Sequence, residues 1–121
     1  MWRQRADAAI AERLRDACAR HDPEAIARTL HSAVEVTVDD GASAGPPRHP
    51  VQGAGRAAAA IARMLQPGAE VAVASVNGNP GLTVRVDDRV VGVLTFTIRR
   101  RAIERLWFVV DPSKLATFNR S

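Results

Sequence analysis

Residues 70–110 read EVAVASVNGNPGLTVRVDDRVVGVLTFTIRRRAIERLWFVV, and this stretch decides the fold. It holds four apolar segments separated by three turn signals. The segments are Glu70 to Asn77, Leu82 to Val86, Val90 to Ile98 and Ile103 to Val110. Asn77-Gly78-Asn79-Pro80-Gly81, then Asp87-Asp88, then Arg99 to Arg101 separate them. Short apolar runs rich in Val, Ile and Thr, broken by Asn, Gly, Pro and Asp, are consecutive strands of a meander. The last two are apolar on both faces. Val91 and Val93 back onto Leu94 and Phe96, and Leu106 and Phe108 back onto Trp107 and Val109.

The first half has a different period. Ala6, Ile10, Leu14 and Cys18 recur every four residues within a helix from Ala6 to His21, with Ala9 and Ala17 alongside. Asp22-Pro23 restarts the chain as an N-cap acid followed by proline, and a short second helix carries Ile26 and Leu30 to about His31. Val34 to Asp40 alternates as a half-buried strand, with Val34, Val36 and Val38 opposite Glu35, Thr37 and Asp39. Asp40 to Gln52 reads as loop. Gly53 to Leu65 reads as an Ala-rich third helix with Ala57, Ile61, Met64 and Leu65 as its apolar side, stopped by Pro67-Gly68. Asp111-Pro112 caps a short terminal helix reaching Phe118. Strands in a run, with helices segregated, imply an α+β domain whose antiparallel sheet packs on three N-terminal helices. The 121 residues make one domain, residues 1–121, with no linker and no repeat. A meander apolar on both faces needs cover on the second face too, and a sheet-to-sheet homodimer supplies it.

Composition narrows the function classes. Tyrosine is absent, and Cys18 is the only cysteine, so neither a tyrosine acid nor an intrachain disulfide is available. The net charge is +4, and Arg99 to Arg101 form its one basic run. Nucleic-acid surfaces pair a basic stripe with interleaved aromatics, and that pattern is missing, which weighs against a nucleic-acid partner. The N-terminus lacks the apolar core of a signal peptide, and no stretch approaches a membrane span, so the reading is a cytoplasmic protein with no membrane partner. The three histidines lack ligand spacing, which implies neither metal nor other cofactor.

The order of elements, together with three local strings, resembles the SnoaL-like (nuclear-transport-factor-2-like) class. The strings are Asn77-Gly78-Asn79-Pro80-Gly81-Leu82, Gly92-Val93-Leu94-Thr95-Phe96 and Asp111-Pro112-Ser113-Lys114-Leu115. They are most similar to the C-terminal SnoaL-like domain of extracytoplasmic-function sigma factors, which carries an Asn-Gly-x-Pro-Gly turn and a terminal Asn-Pro-Asp-Lys-Leu motif. The turn matches at Asn77, Gly78, Pro80 and Gly81. The terminal motif matches at Pro112, Lys114 and Leu115, with Asp111 in place of Asn. A third family motif, Asp-Gly-Gly-Gly-Lys, matches only at Asp40-Gly41, because Ala42, Ser43 and Ala44 depart from it and its lysine is lost. The resemblance implies that this loop and the terminal motif contact the sigma core, an implication the loop's departure at Ala42, Ser43 and Ala44 does not support. The sigma regions that bind DNA and polymerase have no counterpart in the sequence, and the opening Met1 favours a stand-alone relative over an excised domain.

The resemblance implies a cone-shaped curved sheet around a small-molecule pocket. Isomerases of this fold use an aspartate projecting into the cone as general base. Asp39 and Asp40 are the positional candidates, with His49 in the loop as an assisting group. The alternative for each is a solvated strand end or an exposed loop histidine. Asn77 is a candidate ligand contact or plain turn chemistry. Phe96 and Trp107 are candidates for an apolar wall or for core and interface. Three functions follow. One is a non-catalytic small-molecule-binding or regulatory module for a small apolar ligand. Another is an isomerase, cyclase or dehydratase using Asp39 or Asp40. The last is a module contacting transcription machinery through Arg99 to Arg101 and Lys114.

Overall fold

The structure is a computed structural model that describes residues 2–41 and 50–119. Helix α1 (Trp2–Ala19) is followed by α2 (Pro23–Arg28), strand β1 (Leu30–Asp39), a two-residue strand β2 (Val51–Gln52) and helix α3 (Ala54–Met64). The meander β3 (Glu70–Val76), β4 (Asn79–Val86), β5 (Arg89–Arg99) and β6 (Ala102–Val109) comes next. A terminal helix α4 (Pro112–Leu115) ends in a 3₁₀ turn over Ala116–Asn119. Asp22 caps α2 by accepting from the Ala25 N–H, as its Asp-Pro sequence predicts.

The six strands form one curved sheet in the order β2-β1-β6-β5-β4-β3. The meander is antiparallel throughout. The expectation of an antiparallel sheet fails at one joint, because β1 pairs parallel with β6. A parallel pair needs a long connection, and here α3 and four strands, β2 to β5, intervene. Three further boundaries differ. β1 begins at Leu30, because the α2 C-cap Thr29 leads directly into strand and its carbonyl accepts from Ile103 of β6. Val51–Gln52 pairs with β1 in a stretch read as loop. β4 starts at Asn79, immediately after the turn.

One face of the sheet packs on the helices. Ile10, Leu14 and Cys18 of α1, Ile26 of α2 and Ile61 of α3 meet Val34, Val36, Leu82, Leu94, Ile103, Leu106 and Phe108. Ala11, rather than the exposed Ala9, completes the α1 stripe. Alanines at 57 and 58 are fully buried and let α3 approach closely. Met64 departs from its predicted place in the core and is 37% exposed at the end of α3.

Register irregularities shape the sheet, one of them between Leu30 and Glu35 of β1. Val84 faces Gly92 and Arg85 faces Val90, which leaves Val91 as an extra residue. Simple alternation puts Val91 with Val93. The bulge instead sends Val91 toward the main core and puts Val90 with Val93 in a second cluster. A third irregularity lies between Thr97 and Ile98.

The three hairpin turns all use left-handed residues at both central positions: Asn77-Gly78, Asp87-Asp88 and Arg100-Arg101. This is the type I′ geometry that matches strand twist. Asn-Gly suits it, whereas Arg100 (φ 50°) and Arg101 (φ 66°) hold a conformation disfavoured for residues with long side chains. Replacing that pair by the turn-compatible dipeptide, Arg100→Asn with Arg101→Gly, is expected to raise unfolding stability by about 1 kcal/mol, read as a higher urea midpoint at unchanged slope. A lower midpoint would mean the two arginines contribute more than their backbone costs.

Candidate functional site

Where β6 stops at Val109, β5 runs on to Arg89 and leaves an open flank. The terminal segment fills part of it. Asn119 accepts from the Val90 N–H at 2.7 Å and donates to the Val90 carbonyl at 3.0 Å, completing with a side chain the pairing that β6 no longer supplies. Between this segment and the end of α3 lies a cleft of about 420 Å³. Val84, Gly92 and Phe108 line it from the sheet, Met64 from the end of α3 and Gln66 from just beyond it, and Pro112 and Leu115 from the terminal helix. Val110 and the bulge residues Val90 and Val91 complete the apolar wall, and Arg89 stands at its edge. Gly92 is required there, because a Cβ would sit 2.6 Å from Phe108 Cε1, so the ring lies across bare backbone. The volume suits a small organic molecule.

The same end of the molecule carries a clasp. Asp39 forms an ion pair with Lys114 and accepts from the Gly41 N–H at 3.3 Å, while its own carbonyl accepts from Val110. Asp111 caps α4 through the Ser113 N–H and hydroxyl. A Cβ at Gly41 would stand 2.5 Å from Asp111 Cγ, and φ is +70° there, so glycine is needed for both reasons. The Asp40-Gly41 string and the terminal Asp111-to-Leu115 string therefore meet, although about seventy residues separate them. Leu115 anchors the segment. It is 3% exposed among Val76, Val90 and Val93 on the sheet face turned away from α1–α3, with Val109 packed alongside. Its burial contributes about 1.5–3 kcal/mol.

The candidate residues from the sequence do not form one site. Asp39 lies on the outer face, and its hydrogen bond and charge contact with Lys114 hold its carboxyl below the ordinary range. A general base working near neutrality needs the opposite shift. Asp40 is half-buried just past the end of β1. His49 lies outside the described residues. Asn77 is exposed in the first type I′ turn and lines none of the cleft. Phe96 packs on the main core and borders a second cleft of about 550 Å³ with Asn79, Pro80 and Arg100. That cleft lies where the β4–β5 pairing ends, beyond Leu82 and Leu94. Trp107 is on the other face, 37% exposed, between Thr37 of β1 and Thr95 of β5. Arg99 to Arg101 and Lys114 stand at opposite ends of the sheet and share no patch.

Burial pushes the Cys18 thiol up to about 12, which makes it a core residue and a poor nucleophile. Among the described residues no cluster of His, Cys, Asp or Glu has the makings of a metal site. None of their helices is long and apolar enough to cross a membrane.

Sequence reading missed Met64, Gln66, Arg89, Val91 and Asn119 as neighbours of a cleft. The unbroken run Val90-Val91-Gly92-Val93 was the available signal, since a bulge interrupts alternation and glycine marks close approach.

The clasp makes a pH prediction. A lowered Asp39 pKa contributes stability above its unfolded value of about 3.9, and that contribution fades as pH falls through the folded value. The raised Lys114 pKa contributes below its unfolded value and fades only in strong alkali. Asp39→Asn is therefore expected to lower stability modestly at pH 7, with the difference from the unsubstituted protein shrinking as pH falls below about 4, which urea titrations at pH 7 and along an acidic series read directly.

No family model matches the chain, and no curated protein matches it. Solved structures do. The extracytoplasmic function sigma factor SigJ of Mycobacterium tuberculosis aligns with a TM-score of 0.65 at 23% identity, over 90% of this chain and 43% of that one. The chain thus spans less than half the length of that sigma factor. An NTF2-like protein of unknown function from Mesorhizobium loti aligns with a TM-score of 0.61 at 21% identity, over 90% of this chain and 93% of the other. A bacterial protein with a cystatin-like fold from Silicibacter pomeroyi gives 0.64 at 16% identity, over 91% and 79%. With its curved sheet, three packed helices and this set of structural neighbours, the chain has the SnoaL-like, nuclear-transport-factor-2-like α+β fold.

Proposed function

We propose that this protein is a non-catalytic binding or regulatory module that takes a small, largely apolar molecule into the cleft between α3, β4–β6 and the terminal segment. One observation carries the reading. The described side chains around the cleft are Met, Val, Phe, Pro and Leu, with Gln66, Arg89 and Asn119 as the polar members and no carboxylate, histidine or thiol. An isomerase, cyclase or dehydratase would need an acid or base facing its substrate. Asp39, the best-placed candidate by sequence, is engaged by Lys114 on the outer face. A regulatory role also fits the terminal segment, which walls the cleft and is clasped to the end of β1. The likeness to part of a sigma factor supports a regulatory setting by fold analogy.

N-phenyl-1-naphthylamine, an uncharged probe that brightens in apolar surroundings, tests the site. It is expected to bind the unsubstituted protein. Met64→Trp, at a partly exposed position on the cleft, is expected to weaken binding about tenfold or more by occupying the space. Unchanged binding in that variant would place the probe elsewhere and remove the reading.

The outer face supports a second proposal, a homodimer through the sheet. Leu115 covers only the Val90–Val93 end, which leaves Trp107 exposed between two threonines, with Glu35 beside Arg105 along the same face. A two-fold contact lets Trp107 pack on its counterpart and each Glu35 approach the partner's Arg105. Light scattering is expected to give twice the chain mass, falling to one chain mass in Trp107→Glu. A monomer before substitution overturns the proposal.

A further inference from the structure

We infer that the ligand of this cleft is an amphipathic anion, with its apolar body against Met64, Val91, Phe108 and Leu115 and its acidic head group at Arg89. The inference rests on the reading of the cleft as a ligand site and adds the chemical class.

The polar groups around the cleft are not equivalent. Asn119 uses both its oxygen and its nitrogen on the backbone of Val90, so its amide is spent. Gln66 is exposed just beyond the end of α3 and carries no charge. Arg89 is exposed, and the ion pairs among the described residues, Arg15–Asp16, Arg28–Glu24 and Lys114–Asp39, do not include it. Its acidic neighbours in sequence, Asp87 and Asp88, occupy the hairpin turn and do not line the cleft. At the clasp, Asp39 and Asp111 are engaged by Lys114 and by the Ser113 cap respectively.

Among the described residues the cleft therefore presents the Arg89 guanidinium, outside their ion pairs, and no lining carboxylate. A neutral ligand would leave the guanidinium to water, whereas a carboxylate, sulfonate or phosphate ester on an apolar body pairs with it. Arginine suits this task because its planar fork meets two anionic oxygens at once. The bulge explains the placement. The extra residue at Val91 sends that side chain toward the core and puts Arg89 at the rim where β6 has ended. Head and body of one small molecule can thus reach both.

Two matched probes separate this inference from the reading beneath it. 1-Anilinonaphthalene-8-sulfonate carries a sulfonate, and N-phenyl-1-naphthylamine is the same skeleton without it. The sulfonate is expected to bind the unsubstituted protein more tightly. Arg89→Gln is expected to weaken the sulfonate about fivefold, as for a partly exposed ion pair, and to leave the neutral probe unchanged. Arg100→Gln, at an exposed arginine distant from the cleft, is expected to affect neither. If both probes bind equally, before and after Arg89→Gln, the anion inference fails and the apolar site stands. If Arg100→Gln weakens the sulfonate as much as Arg89→Gln does, the attraction is the general positive charge and the inference fails. If Met64→Trp displaces neither probe, the site itself fails and the inference with it. Arg89 and Met64 are exposed, and circular dichroism of each variant confirms that binding is compared between folded proteins.

Discussion

The parallel pairing of β1 with β6 is the constraint on which the rest of this structure depends. The helices and β1 are made in the first half of the chain, and the meander in the second. Thr29 accepting from Ile103, and the register from Glu35–Arg105 to Asp39–Val109, join the two halves into one sheet. That register sets Val36 beside Leu106 and Val38 beside Phe108, so one continuous apolar face meets α1, α2 and α3. Shifted by one residue, every one of these side chains would turn to the other face. The same pairing ends at Asp39 and Val110, which brings the terminal helix against the end of β1.

From that joint the functional end is built in steps. β6 stops at Val109 while β5 continues, so an unpaired flank opens at Val90. Asn119 satisfies the flank, Leu115 fills the outer pocket, and the clasp at Asp39 fixes the intervening turn. A cleft remains because the terminal segment closes the flank from one side only. Its apolar lining follows from the bulge at Val91 and from Gly92, which gives Phe108 room. The cleft and the clasp thus meet on the terminal segment, where Pro112 and Leu115 line the one and Asp111 and Lys114 form the other.

Fold and function separate at this point. Structural neighbours at these identities share an architecture, and the architecture supports unrelated activities. The features that bear on function are local: an apolar cleft lined at one side by Arg89, and an aspartate, Asp39, pinned by Lys114.

Sequence alone determined the elements. Local periods of two and of about four residues reflect which side chains share a face, and the turn and cap residues act on their immediate neighbours. The meander, the α1 and β1 stripes, the Asp22-Pro23 cap and the opposition of Trp107 to Phe108 were legible for that reason. Tertiary structure decided what depends on closure between distant residues. The parallel register, the reorientation of Val91 by an extra residue, the exposure of Met64, the meeting of Asp39 with Lys114 and of Asn119 with Val90, and hence the cleft, have no local signature. Each is settled by how two segments, far apart in the chain, satisfy one another's hydrogen bonds and fill one another's gaps.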